Sequence, residues 1–188
     1  MLMLVVTIII AAVVSAFAGG LGSDVQKAPQ AAIDVQIKTG MDDTMGGTNT
    51  VMTFKEVSGD PILTKDLAIV TYYKNKAGSV YKNKQTATSL ATDLYGYGST
   101  TRVPFINDMR SGYSGNNPAK DFGNFTWKTG DILSTGSTAG TAQLLAINST
   151  TTPYTISDSD FGSGSIVDVK ILHVPSGQYI FDKEVTVQ

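Results

Sequence analysis

The 188-residue chain offers a single imidazole, His173, and no cysteine. The absence of cysteine excludes thiol chemistry, thiolate metal sites and a disulfide framework. His173 stands between Leu172 and Val174 inside an alternating run, with no serine nucleophile elbow before it. A lone histidine cannot build a histidine-based metal site, and catalysis needs converging partners. A structural or surface role is expected for it. Asp158-Ser159-Asp160-Phe161-Gly162 has part of the spacing of a calcium loop. That loop needs a third oxygen ligand before its glycine and a glutamate after it, and Phe161 cannot ligate, so a solvated Asx-type turn is the expectation. Asp42-Asp43 is no stronger. Gly19 to Gly22 lacks the Lys-Ser/Thr of a phosphate loop, and no G-x-G-x-x-G follows a strand. No catalytic, metal-binding or cofactor-binding residue is assigned, and no cofactor is expected. Two triplets, Asn124-Phe125-Thr126 and Asn148-Ser149-Thr150, are acceptors for N-linked sugar if the protein is exported. Thr150 to Thr152 could take O-linked sugar.

The elements that would position these residues fall into two regions of different composition. Met1 to Gly22 contains no charged side chain, and the first is Asp24. As a helix this segment would be roughly 33 Å long at about 1.5 Å per residue, close to a hydrocarbon core of about 30 Å. Leu2, Val5, Val6, Ile9, Ala12, Val13, Ala16 and the neighbouring Phe17 are candidate helix-bundle positions. The remaining faces are apolar as well, so the helix must be buried on all sides, in lipid or among other helices. It lacks the basic n-region of a secretory signal. Small residues such as Ala11, Ala12, Ser15 and Ala16 allow close helix approach, which a lone membrane anchor would not need. Gly19, Gly20 and Gly22 weaken helical preference by about 1 kcal/mol each and predict a hinge. Pro29 ends any helix by Ala28. The predicted boundary therefore separates a hydrophobic assembly or transmembrane helix with a Gly-rich hinge, residues 1–28, from a head, residues 29–188.

From Ala32 the period becomes two. Ala32–Lys38 and Thr50–Val57 alternate apolar and polar residues, with a turn-rich loop from Gly40 to Gly47 between them. Leu67–Tyr73 is β-branched and aromatic and predicts a central strand; Ser79–Lys82 predicts an edge strand. Asn83 to Ala119 reads as an ordered surface insertion with Arg102-Val103-Pro104-Phe105-Ile106 packing inward. Phe125-Thr126-Trp127 enters a strand, Thr141–Asn148 is a short apolar run, and Ser165–Val174 with Gln178–Val187 forms a hairpin around Pro175-Ser176-Gly177. Seven to nine strands at regular spacing predict an all-β head, an immunoglobulin-like β-sandwich, behind one long N-terminal hydrophobic α-helix. The formal charge of −2 with 16% charged residues carries no basic excess for nucleic acid.

The run MLMLVVTIIIAAVVSAFAGGLGSDVQKAPQAAIDVQ resembles the N-terminus of archaeal type IV pilins, where an apolar helix ends in a Gly-rich stretch before a PQA-type entry into the first strand. Ser58–Ile69, Phe125–Leu133 (a W-x-x-G-D element) and Val167–Val187 are similar to further family signatures, in the expected order. Family members carry residues before this point, including a Ser-Pro-Val-Ile-Gly-like start after a short basic leader; here Met1 lies within the helix, so no prepilin peptidase site is read. The resemblance implies a homopolymeric surface filament, extracellular, inserted in the cytoplasmic membrane before an ATP-driven machinery assembles it, serving adhesion or attachment to host or other surfaces. The PQA and WKTGD patches favour a pilus over an archaellum. A membrane-tethered binding module is the alternative, and an enzyme has little support.

Overall fold

A computed structural model describes residues 26–42, 48–94, 98, 100–106, 117–148 and 155–188. The expected assembly helix and its hinge, from Leu2 to Gly22, lie outside the described residues; among the described residues no helix is long and apolar enough to cross a membrane. The described residues are mostly β-strand and carry one hydrophobic core. The strands are β1 (Ala31–Asp42), β2 (Thr48–Gly59), β3 (Ile62–Leu63), β4 (Leu67–Lys74), β5 (Val80–Thr86), β6 (Thr92–Asp93), β7 (Thr100–Thr101), β8 (Phe105–Ile106), β9 (Thr126–Trp127), β10 (Ile132–Ser134), β11 (Ile166–His173) and β12 (Gln178–Thr186), with one helix, α1 (Thr138–Leu145), between β10 and β11.

Eight of these strands make two four-stranded antiparallel sheets, ordered β1-β2-β10-β8 and β12-β11-β4-β5. Lettered in chain order these are A-B-E-D and G-F-C-C′, the strand order of an immunoglobulin-type sandwich with one strand added to the second sheet. Residues just past β12 run parallel to β1: Ile37 bridges Val187, Gln188 N–H donates to the Ile37 carbonyl at 2.9 Å, and Thr39 N–H donates to the Gln188 carbonyl at 2.8 Å. The two sheets are thus joined along one side. The four remaining strands are two-residue pairs, β3 with β9 and β6 with β7.

Alternation places the core. Val35 and Ile37 from β1, Met52 and Phe54 from β2, Leu67 and Ile69 from β4, and Val167, Val169 and Ile171 from β11 are buried in one cluster with Trp127, Phe122 and Leu133. Leu67–Tyr73 lies between β5 and β11 as the central strand expected, and β5 is an edge that runs on to Thr86. In the insertion, Val103 and Phe105 are buried, and Arg102 donates to the carbonyls of Ser89 (2.7 Å) and Phe122 (2.8 Å).

One expectation needs correction, and one run without an assignment acquires one. Gly40 to Asp42 belong to β1, whose register shifts between Lys38 and Met41 and whose Gly40 has φ +70°, so the loop is shorter than its glycines implied. Within the short apolar run Thr141–Asn148, Thr141–Leu145 closes α1. Ser137 caps the helix by accepting from Gly140 N–H at 3.3 Å, and Ala146 ends it in the left-handed region at φ 57°. Six of its eight residues are buried, because the helix lies between the sheets, against β2, β4 and β5. Such a run gives no periodicity by which sequence can tell strand from helix.

Candidate functional site

The end of the sandwich where the chain enters the head gathers the sequence patches singled out above. Ala28 is already buried. Gln30 N–H donates to the Asp60 carboxylate at 3.1 Å, and Asp60 N–H donates back to the Gln30 carbonyl at 2.9 Å, clamping the entering chain to the turn after β2. Gly59 makes that approach possible: its φ is +137°, and a Cβ there would lie 2.3 Å from the Gln30 carbonyl oxygen. A shallow cavity of about 280 Å³ lies between Lys27–Pro29 and Asp60–Leu63, with Asp66 and His173 on its wall.

The Ser58–Ile69 and Phe125–Leu133 patches touch. Ile62 pairs with Trp127, and the Thr64 hydroxyl donates to the Phe125 carbonyl at 2.6 Å while accepting from Gly123 N–H at 3.1 Å. The W-x-x-G-D element is a closed turn. Trp127 Nε1–H donates to the Asp131 carbonyl at 3.2 Å, Lys128 N–H donates to the Asp131 carboxylate at 3.0 Å, and Gly130 takes φ +91°. Trp127 is buried beneath it. These residues pack beside the turn at Gly59 and Asp60 that holds the entering chain, the Thr129 hydroxyl donating to the Gly59 carbonyl at 3.5 Å.

His173 is buried with Nδ1 2.8 Å from the Ser176 hydroxyl, across the Val174–Gly177 turn that joins β11 to β12. This is the structural position expected of it. Asp158 forms the expected Asx turn, its carboxylate accepting from Asp160 N–H at 2.9 Å and from Asn75 Nδ2 at 2.8 Å, but the side chain is buried and not solvated as expected. Burial pushes this carboxyl upward, but those bonds and one from Tyr81 outweigh it and hold it below the ordinary range. Phe161, where a ligand would stand, packs edge-on against Tyr73, centroids 5.1 Å apart. Among the described residues no group of three histidine, cysteine or acidic side chains could hold a metal ion.

Of the two glycan acceptors, Asn124 and Asn148 are both exposed. Asn124 Nδ2 donates to the Pro118 carbonyl at 2.7 Å, whereas Asn148 follows α1 and bridges Ile156 through its backbone. The helix-bundle positions Leu2, Val5, Val6, Ile9, Ala12, Val13, Ala16 and Phe17 and the hinge Gly19, Gly20 and Gly22 lie outside the described residues.

One buried group escaped the sequence reading. Glu56 shares the inward face of β2 with Thr50, Met52 and Phe54, is fully buried, and neither carboxylate oxygen has a hydrogen-bond partner among the described residues. Burial first, then the Asp131 carboxylate, push its pKa up, Thr129 pulls the other way, and Asp60 adds to the rise. The signal was the strand alternation itself, which puts position 56 inside once Met52 and Phe54 are.

The described residues are mostly β-sheet, and they follow a segment with no charged side chain before Asp24. Residues 1–33 match the family model described as Archaeal Type IV pilin, N-terminal. The match covers the first 33 of 188 residues, and the resemblance is to that family over this segment. No curated protein and no solved structure matches it.

Proposed function

We propose that this chain is the structural subunit of an archaeal type IV pilus, a helical surface filament used for adhesion or attachment. The observation that carries the reading is the match of residues 1–33 to the pilin N-terminal region, in a segment with no charge before Asp24. The segment waits in the cytoplasmic membrane and is withdrawn by the assembly machinery into a bundle of like helices. Leu2, Val5, Val6, Ile9, Ala12, Val13, Ala16 and Phe17 pack in that bundle, and Gly19, Gly20 and Gly22 bend the chain toward the head. Residues 29–188 form the outer sheath, with sugar on Asn124 and Asn148. The seat at Gln30, Asp60 and Gly59 supports this reading, because a head clamped to its entering chain takes a defined orientation in a filament. The test is electron microscopy of appendages sheared from cells, with the chain identified in them by antibody. It should sediment as a polymer after shearing; a chain that stays with the membrane fraction would leave a tethered binding module instead.

A further inference from the structure

The outward face of the β12-β11-β4-β5 sheet is charged oppositely at its two edges. Lys82 and Lys84 point outward from β5, opposite Tyr72 and Val70. Lys82 lies over the Tyr72 ring at 5.1 Å, and neither lysine faces a carboxylate across the strand pair. At the other edge, Glu184 of β12 stands directly opposite Asp168 of β11, and Asp182 opposite Lys170. Lys170 serves two carboxylates, Asp182 at 2.7 Å and Asp168 at 3.4 Å, and these are the ion pairs formed among the described residues. Glu184 thus sits beside a like charge, an arrangement that disfavours the sheet unless a cation from elsewhere approaches. The outward charges of the edge strand β12 sum to −2 (Asp182 and Glu184) and those of the edge strand β5 to +2 (Lys82 and Lys84), while Asp168 and Lys170 on β11 cancel. Three strand spacings, about 14 Å, separate them, more than a Debye length of about 8 Å at physiological salt.

The geometry points to a head-to-tail contact between copies of this chain, in which the lysine edge of one such face meets the acidic edge of the next. The inference rests on the filament reading above and adds the surface through which heads meet. Opposite charges on different edges cannot complement themselves about a two-fold axis. They make a heterologous contact, and a heterologous contact that does not close on itself propagates as a helix. Lysines on an open strand edge also deter indiscriminate strand pairing. That role needs no acidic cluster opposite, and glutamate would fill it as well as lysine.

Four full-length chains separate these possibilities, with filaments counted by electron microscopy, their dissociation followed against salt, and each fold checked by thermal unfolding of detergent-extracted protein. The unaltered chain forms filaments. Lys82→Glu/Lys84→Glu loses them, as does Asp182→Lys/Glu184→Lys. The four-site swap, which restores −2 against +2 with the edges exchanged, recovers them. Filaments of ordinary number and salt resistance from either two-site variant would overturn the contact and leave the filament reading standing. So would a well-folded four-site swap that makes none. Absence of filaments from the unaltered chain would instead remove the filament reading, and the contact with it.

Discussion

Glu56 presents the sharpest energetic question of any single side chain. An ionised carboxylate without a partner in the core is unfavourable, and its raised pKa expresses that. The sign follows from linkage. With the folded pKa above the unfolded value of 4.5, the native state holds its proton longer, so the penalty is full above the folded pKa. It is relieved as pH falls through the folded pKa toward the unfolded one. Replacing Glu56 with methionine keeps the volume and removes both oxygens. At pH 7 this should stabilise the head by about 1–3 kcal/mol, the cost of an unsatisfied buried group. The gain should shrink on acidification toward pH 4.5. Thermal unfolding at the two pH values checks it, and a variant less stable at pH 7 than the parent would show that Glu56 has a favourable partner. Glycan occupancy is a second expectation at this scale. Intact mass of the native protein should exceed that of the bare chain, with Asn148 more fully modified than Asn124, whose amide must first release the Pro118 carbonyl. A mass equal to the bare chain would refute it.

Helix α1 shows what a short buried element depends on. Thr71 and Asn83 reach its last turn, donating to the Leu144 carbonyl at 2.8 and 2.9 Å, so β4 and β5 satisfy groups that the helix end leaves open. At its start, Ser137 accepts from Gly140, and a Cβ on Gly140 would lie 2.0 Å from the Thr135 carbonyl oxygen. Ser137→Ala should destabilise the head by about 1 kcal/mol through the lost cap. Gly140→Ala should do more, about 1–3 kcal/mol, because backbone must move to admit the methyl. Denaturant unfolding of both variants tests the order; an unperturbed Gly140→Ala would mean that the helix start is looser than its packing. These contacts also mark the limit of sequence reading. β1, β2 and the β11–β12 hairpin were legible because half-buried strands alternate, and β4, buried almost throughout, through its β-branched and aromatic run. The helix was not, since burial from several sides erases its periodicity and its cap is one serine among many. Nor could Asp60 be recognised as a clamp, because its partner, Gln30, lies thirty residues away along the chain.

At the scale of the whole molecule, assembly should depend on the apolar continuity of the N-terminal segment and not on the head's single imidazole, His173. Met1 to Gly22 is uncharged and apolar on all faces of a helix, so in a filament every face meets another helix. A charge at Ile9 or Val13 would then be buried mid-bundle without a partner. Such a charge costs on the order of several kcal/mol, and the cost recurs in every subunit. His173, by contrast, braces one turn of the head through Ser176, and glutamine can offer a comparable polar group there. Ile9→Asp and Val13→Lys should each abolish filaments, and His173→Gln should leave them intact. The variants are expressed separately, filaments are counted per cell, and membrane insertion is followed by fractionation. This separates failure to enter the membrane from failure to polymerise. Ordinary filaments from Ile9→Asp would mean that the segment is not the polymer core, and a tethered module would take the filament's place. Loss of filaments from His173→Gln with the head still folded would give the β11–β12 turn, beside the seat of the entering chain, a direct part in assembly.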